Sequence, residues 1–249
     1  MRLCGDLMFK KYVGMVRRYI PEPVWRRANN IRNRWFNSWA RKSYSQNGED
    51  RILDWCFDGK EDGFYVDIGA HHPKRYSNTY LLYRKGWKGL NADANPGSMR
   101  AFRQIRPRDI NVEAALATER RDLVYYSFED AALNTFDRAT ALERVANGCA
   151  IIRETPMTTV SLRELFDRYL PPGITIDLLT VDVEGLDYDV LQSNDWNRYQ
   201  PVYILAECLE SQSIQQIGSD KITQLLAKNG YIPIAKTIHT VLYKRAVPS

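Results

Sequence analysis

The fold is decided by one short stretch, which reads Gly63-Phe64-Tyr65-Val66-Asp67-Ile68-Gly69-Ala70-His71-His72-Pro73. Its apolar run predicts a buried strand, and Gly69 predicts a tight turn after that strand. A helix is expected over about residues 76–85. A strand, a glycine turn and a helix in this order form the first unit of a nucleotide-binding α/β sheet. We expect Gly69 to let the backbone approach a ligand closely, and Asp67 to direct its carboxylate into the same crevice.

The turn at Gly69 differs from a dinucleotide site. A dinucleotide fingerprint has three glycines, because the pyrophosphate must lie against a helix N-terminus. This turn has one glycine and acids nearby, which suits a ligand with cationic groups and no phosphate. S-adenosylmethionine, with its sulfonium and amino groups, fits that description. An ordinary buried strand that ends at a glycine is the alternative.

A second acid ends the next predicted strand, which reads Gly89-Leu90-Asn91-Ala92-Asp93. Asn95 and Pro96 then predict the start of a helix that runs through Phe102, since proline is tolerated in a first helical turn. Asp93 follows the glycine turn at the distance where such sheets place an acid on the ribose hydroxyls of a cofactor. Two acids at successive strand ends favour a cofactor site over an ordinary strand.

Further acids follow a third apolar run, residues 176–181, in the sequence Asp182-Val183-Glu184-Gly185. A helix is predicted over residues 188–191. The carboxyl ends of central strands are where α/β sheets bind ligands. A surface turn of acids is the alternative.

The rest of the chain alternates predicted strands with predicted helices. Ser161 and Glu164 are spaced as a capping box at a helix start, and Asn229-Gly230 is typical of a helix end. The alternation, closed by a hairpin-like pair of strands, predicts an α/β fold with a mostly parallel sheet and one antiparallel strand. Further strands are predicted over residues 109–116, 123–128, 202–208, 231–234 and 240–243, further helices over 51–57 and 219–228, and a loop with a short helix over 132–147 that is able to cap the crevice.

Composition favours a cytoplasmic protein. The 249 residues, 44% of them hydrophobic, suffice for one α/β domain and an appendage. Cys4, Cys56, Cys149 and Cys208 form no C-x-x-C pair, which argues against a zinc site and predicts reduced thiols. No apolar run approaches the roughly 18 residues of a membrane span, and we predict no signal peptide.

The charge is concentrated in residues 1–42, which we predict to be a helical extension of a domain over residues 43–249. Residues 1–42 carry eleven Lys and Arg against Asp6 and Glu22, a balance of +9, so residues 43–249 carry −4 of the total +5. Trp25, Ile31, Trp35 and Trp39 lie roughly on one face of a predicted helix. A basic, Trp-rich amphipathic helix can lie on an anionic membrane surface, which would be the inner face of the membrane. Docking on the domain and homodimerisation are the alternatives, and nucleic acid is not an expected partner.

The motifs resemble those of the FkbM-type methyltransferases, a family of class I S-adenosylmethionine-dependent enzymes. The similarity spans about residues 43–244. It is carried by Val66-Asp67-Ile68-Gly69-Ala70, Asn91-Ala92-Asp93-Ala94-Asn95-Pro96, Val181-Asp182-Val183-Glu184-Gly185, Tyr44-Ser45-Gln46-Asn47-Gly48-Glu49-Asp50, Ser77-Asn78-Thr79-Tyr80 and Leu133-Asn134-Thr135-Phe136.

The resemblance implies a seven-stranded, Rossmann-like class I methyltransferase fold with helices on both faces. It also implies O-methylation of a hydroxyl on a sugar, glycan or natural product. Asp93 stands where many members have Glu, and either acid suits a diol. The residues that the resemblance places at S-adenosylmethionine are Gln46, Asp67, Gly69, Ala70, Ser77, Asn78, Asp93, Asn95, Glu113, Ala114 and Asp182.

Methylation of a hydroxyl requires a group that removes its proton. The candidates are Asp182, Glu184, His71 and His72, and histidine has the ordinary pKa closest to neutral. The acids could instead hold a divalent cation, but we predict no metal site. Two other functions remain: an NAD-dependent reductase, which the missing glycine-rich turn disfavours, and a non-catalytic binding module tethered by the basic arm.

Overall fold

The structure is a computed structural model that describes residues 19–35, 40–130, 133–183, 185–208 and 213–246. The chain divides into the units Met1–Lys42 and Ser43–Ser249. In the first unit the described residues form one helix, α1 (Glu22–Trp35). Pro23 lies in its first turn, where proline is tolerated, and the carbonyl of Pro21 accepts the N–H groups of Val24 and Trp25 at 3.0 Å.

A seven-stranded sheet forms the centre of the second unit. Its strands are β1 (Phe64–Ile68), β2 (Lys88–Asp93), β3 (Ile110–Glu113), β6 (Leu178–Val181), β7 (Tyr203–Glu207), β8 (Tyr231–Lys236) and β9 (Thr240–Arg245), and a separate two-stranded sheet contains β4 (Asp122–Phe128) and β5 (Ile151–Thr158).

The strand order of the large sheet is β3-β2-β1-β6-β7-β9-β8. β1 pairs in parallel with β2 and with β6, so that Ile68 lies between Ala92 and Val181. β9 is antiparallel to both of its neighbours. The predicted mostly parallel sheet with one antiparallel strand is therefore confirmed. The carboxyl ends of β1, β2 and β6 meet at one edge of this sheet.

Helices cover both faces of the sheet. The alternation of β1 sends Val66 into a core with Leu165, Leu191 and Leu226 on one face, and Tyr65 into a second core on the other. The helices of this unit are α2 (Glu49–Cys56), α3 (Tyr80–Lys85), α4 (Met99–Ile105), α5 (Arg138–Ala146), α6 (Leu162–Tyr169), α7 (Asp187–Gln192) and α8 (Lys221–Lys228), with a 3-10 helix at Ile214–Ser219.

Two predicted helix starts were wrong, and one was right. α3 begins four residues later than expected, because Tyr76 has a positive φ of 57° and cannot continue a right-handed helix. α4 begins at Met99 and not at Asn95, whose N–H group donates to Asp93. The capping box of α6 is confirmed, with Ser161 and Glu164 each accepting from the other's backbone N–H.

An insertion between β3 and α6 was only partly predicted. The sequence predicts only the end of β5, as a strand that finishes near Thr158 before the capped helix, and not its full length or its partner. β5 pairs antiparallel with β4, and α5 lies between the two strands in the sequence. Asn134 holds the insertion together by accepting the N–H of Phe128 at 2.8 Å, and Tyr126, Phe128 and Ala141 form its small core. Among the residues that the structure describes, no helix is long and apolar enough to span a membrane.

Candidate functional site

Gly69 lies where β1 turns past the end of β6. Its φ is +80°, and a Cβ built on it would lie 1.7 Å from the carbonyl oxygen of Asp182. The Gly69 N–H donates to Ala92 O at 2.9 Å, and the Asp182 N–H donates to Ile68 O at 3.0 Å. The space that a side chain would occupy is therefore filled by the chain itself. The packing of the chain at this turn therefore requires a glycine, and the close approach of a ligand to Gly69 stays a prediction.

Asp93 connects the loops that follow β1 and β2. One carboxylate oxygen accepts the His71 N–H at 2.8 Å, and the other accepts the Asn95 N–H at 2.8 Å. Burial raises the pKa of this half-buried carboxyl, while the two N–H groups act to lower it. Each oxygen of a carboxylate can accept a second hydrogen bond. Asp93 is thus anchored in the way that recognition of a diol requires.

The end of β3 lies next to Asp93. The Ala114 N–H donates to the carbonyl oxygen of Asp93 at 3.0 Å, and the exposed Glu113 accepts the Gly97 N–H at 2.9 Å. Ala70 is buried against Met99 and Phe102. The structure therefore brings the predicted residues at the ends of β1, β2 and β3 to one edge.

The two adjacent histidines have different surroundings. His72 accepts the N–H groups of Lys74 and Arg75 on Nδ1, at 3.0 and 2.9 Å. Burial and then the charge of Arg75 lower its pKa. A neutral imidazole that accepts on Nδ1 carries its proton on Nε2, so this geometry favours a structural role for His72 and not the role of a base.

Of the two histidines, His71 is the better candidate for the base. Its side chain is exposed, and its Nε2 lies 3.5 Å from the guanidinium of Arg75. Its φ is +49°, a conformation that few residues other than glycine adopt. Such strain is concentrated at functional sites, because the surrounding structure must maintain it.

Asp67 does not enter the crevice, contrary to expectation. It is 5% exposed, and its carboxylate accepts the Thr79 hydroxyl at 2.5 Å. Burial raises its pKa, whereas the charge of Arg106 and the bond from Thr79 act to lower it. Asp67 therefore fixes the loop between β1 and α3 through its hydrogen bond with Thr79.

Arg106, which the sequence analysis missed, is the centre of this buried network. Its side chain is fully buried and pairs with Asp109 at 2.8 Å. It also donates to Thr79 Oγ1 at 2.9 Å and to Ser77 Oγ at 3.4 Å. Tyr65, in turn, donates its hydroxyl to Asp109 at 2.6 Å. Ser77, expected at the cofactor, thus belongs to the support of the loop.

The segment before α2 is held against the same loop. The Ser77 N–H donates to Tyr44 O at 3.1 Å, and the Tyr44 ring lies edge-on to Tyr80 with centroids 4.8 Å apart. Asp50 accepts the Tyr44 N–H at 2.7 Å. α2 begins without a side-chain cap, and its N-cap is Gly48. Gln46, expected at the cofactor, is exposed in this segment.

The turn after β6 contains a second residue that the sequence analysis missed. Asp187 is buried and accepts the Val183 N–H at 3.1 Å and the Gly185 N–H at 3.2 Å. It therefore shapes the turn that carries the half-buried Asp182. Asn78 links this region to the β1 loop by donating to Thr180 at 3.4 Å. Glu184 lies outside the described residues.

The chemistry of this edge fits S-adenosylmethionine. Asp93, Glu113 and Asp182 place carboxylates at the ends of β2, β3 and β6, which would repel a pyrophosphate and attract a cation. Asp93 would hold the ribose hydroxyls. The described residues contain no group of three or more His, Cys, Asp or Glu side chains that could hold a metal ion.

Comparisons with known proteins give one decisive match. The family model of the methyltransferase FkbM domain matches residues 67–233, more than half of the chain. No curated protein matches significantly.

Two solved structures are similar at a low level. A TehB-like SAM-dependent methyltransferase from Corynebacterium glutamicum is 11% identical with a TM-score of 0.41, covering 88% of this chain and 98% of its own. An O-methyltransferase from Bacillus cereus, in complex with SAH, is 9% identical with a TM-score of 0.35, covering 81% and 82%. With TM-scores and identities this low, the two structures carry no further argument. From the family match and the strand order we conclude that the chain belongs to the FkbM methyltransferases and is a class I S-adenosylmethionine-dependent methyltransferase.

Proposed function

We propose that the protein methylates a hydroxyl group of a sugar, a glycan or a natural product. The observation that supports this proposal is the exposed imidazole of His71 in the loop after β1. That loop follows the strand that pairs with β6, and Asp182 is the residue directly after β6. The proposal assigns a proton acceptor and a hydrogen-bonding carboxylate to the loops that follow these two adjacent strands.

A hydroxyl is a poor nucleophile until a positioned base takes its proton. The His71 imidazole would accept that proton and pass it to solvent, since the side chain is exposed. Asp182 would accept a hydrogen bond from the acceptor and orient its oxygen. Bound S-adenosylmethionine would supply the methyl group and leave as S-adenosylhomocysteine. Removal of the base should lower turnover by about 10²–10⁴-fold.

The experiment combines a panel of acceptors with two matched variants. Purified protein is incubated with S-adenosylmethionine and with sugars, glycans or hydroxylated small molecules, and S-adenosylhomocysteine is measured by mass spectrometry. His71→Asn is the test variant, because Asn tolerates a positive φ and keeps the backbone N–H that Asp93 accepts. His239→Asn, at an exposed histidine in the β8–β9 turn, is the control.

We expect turnover on a hydroxyl acceptor, a large loss of kcat in His71→Asn, and none in His239→Asn. Cofactor affinity by calorimetry should be the same in all three proteins. Full turnover in His71→Asn would refute the role of His71. Methylation confined to nitrogen or carbon acceptors would refute O-methylation itself.

A further inference from the structure

α1 carries an apolar stripe that faces solvent. Val24, Ala28 and Ile31 follow one another at i, i+4 and i+7, which places them on one side of the helix. Val24 is 57% exposed and Ile31 is 54% exposed. In the sequence, Trp35 continues the same spacing.

Arginines flank this stripe. Arg27 and Arg34 are exposed and lie three positions away from Val24 and Ile31 respectively, along one border of the stripe. Arg26 lies further round and pairs with Glu22 at 3.2 Å. Beyond the helix, Arg41 and Lys42 are exposed as well. These residues belong to the segment that carries a balance of +9, while residues 43–249 carry −4.

The combination of an apolar stripe and flanking arginines favours one of the possible partners of α1. Two copies of a +9 segment repel each other, and a stable dimer buries about 800 Å² per partner, more than three small apolar side chains expose. A nucleic acid would use the arginines but not the apolar stripe. An anionic lipid surface uses both, because the apolar side chains enter the acyl boundary while the arginines reach the headgroups.

We propose that α1 binds the surface of an anionic lipid bilayer, lying in the plane of the interface with Val24 and Ile31 inward. Arg27 and Arg34 contact the headgroup phosphates. This membrane contact is independent of the proposed function, since it requires neither the methyl donor nor the acceptor.

The test is co-sedimentation of the full chain with vesicles. One set contains phosphatidylcholine alone, and the other also contains phosphatidylglycerol. The apolar variant is Val24→Ser with Ile31→Ser, and its control is Asn30→Ser, an exposed position on another side of α1. Arg27→Gln with Arg34→Gln tests the charge.

We expect strong sedimentation with the anionic vesicles only, and weakening by added salt. The charge variant should lower the partition constant by about tenfold or more, because two arginines near the headgroups are lost. The apolar variant should lower it by about the same factor, because its side chains no longer enter the acyl boundary. Asn30→Ser should bind as the unmodified chain does.

Equal binding to both kinds of vesicle, or to neither, would overturn the proposal. So would a dimer in light scattering that the apolar variant converts to a monomer, because the stripe would then be a subunit interface.

Discussion

At the scale of single residues, the most costly side chain to bury is that of Arg106. An isolated buried charge is expensive, and Arg106 is stabilised because Asp109 pairs with it and Thr79 and Ser77 accept two further N–H groups. Its guanidinium also lies over the ring of Tyr65, 5.1 Å from the centroid. The residue contributes to the site by fixing the loop between β1 and α3.

We predict that Arg106→Met destabilises the protein by about 3–5 kcal/mol, because Asp109 would remain buried without its charge partner. Urea denaturation measures this free energy of unfolding. Arg103→Met, at an exposed position in the last turn of α4, is the control and should stay within about 0.5 kcal/mol of the unmodified protein.

Adding Asp109→Asn to Arg106→Met should restore part of the loss, since residue 109 would no longer carry an unpaired charge. If both arginine variants are equally stable, the buried pair does not support the fold.

Asp93 is the residue on which cofactor affinity should depend most. We predict that Asp93→Ala weakens S-adenosylmethionine binding at least about tenfold, because charge-assisted hydrogen bonds to the ribose would be lost. Calorimetry measures the Kd, and circular dichroism checks the fold, since Asp93 also holds two backbone N–H groups. Glu154→Ala, at an exposed acid on β5, should bind normally. Unchanged affinity in Asp93→Ala would contradict the assignment.

At the scale of elements, local patterns predicted what local forces determine. The apolar run from Phe64 to Ile68 is a strand with those bounds, and Ser161 with Glu164 starts α6. Most of β5 was missed, apart from its end near Thr158, because apolar and polar residues do not alternate regularly along it, it includes Pro156, and it pairs with β4, which lies before α5 in the sequence. When a strand is stabilised by a partner that is distant in the sequence, its own residues give only a weak strand pattern.

In the candidate site, too, the sequence predicts what depends on neighbouring residues and misses what depends on distant ones. Asp93 was predictable, since its position at a strand end follows from the chain alone. Arg106, Asp109 and Asp187 were not, because nothing near them in the sequence shows that they are buried. Asp67 was placed on the correct strand, but the side to which its carboxylate turns depends on Thr79 and Arg106.

The close contact between the turn after β1 and the residue after β6 gives the sharpest prediction for an element. Gly69→Ala should destabilise the protein far more than Gly97→Ala, although both glycines have a positive φ, +80° and +85°. A Cβ at Gly97 meets nothing within 4 Å, so only the backbone strain of about 1–2 kcal/mol applies there. A Cβ at Gly69 meets the Asp182 carbonyl. Urea denaturation of both variants isolates the clash, and equal losses would show that β6 can move away.

At the scale of the whole molecule, opposite charges belong to different parts of the chain. The units Met1–Lys42 and Ser43–Ser249 divide it where the sequence changes from a balance of +9 to one of −4. The crevice residues described above all belong to the second unit. Catalysis and attachment are therefore predicted to be separable.

We predict that a protein lacking residues 1–42 folds and binds S-adenosylmethionine with the Kd of the full chain, because the sheet and both of its cores lie after Lys42. Its urea midpoint should also be the same. A lower midpoint or a weaker Kd would show that the first segment supports the domain.

The order of strands in the sheet also affects how the protein is made. β2 emerges from the ribosome soon after β1 and can pair with it, but β6 follows only after β3, the insertion and α6 have been synthesised. Until then β1, an interior strand of the finished sheet, is an edge strand of a nascent one, and an unpaired apolar edge can join neighbouring chains. The step that limits soluble yield is therefore expected to be the wait of β1 for β6 during translation, and not the stability of the completed enzyme.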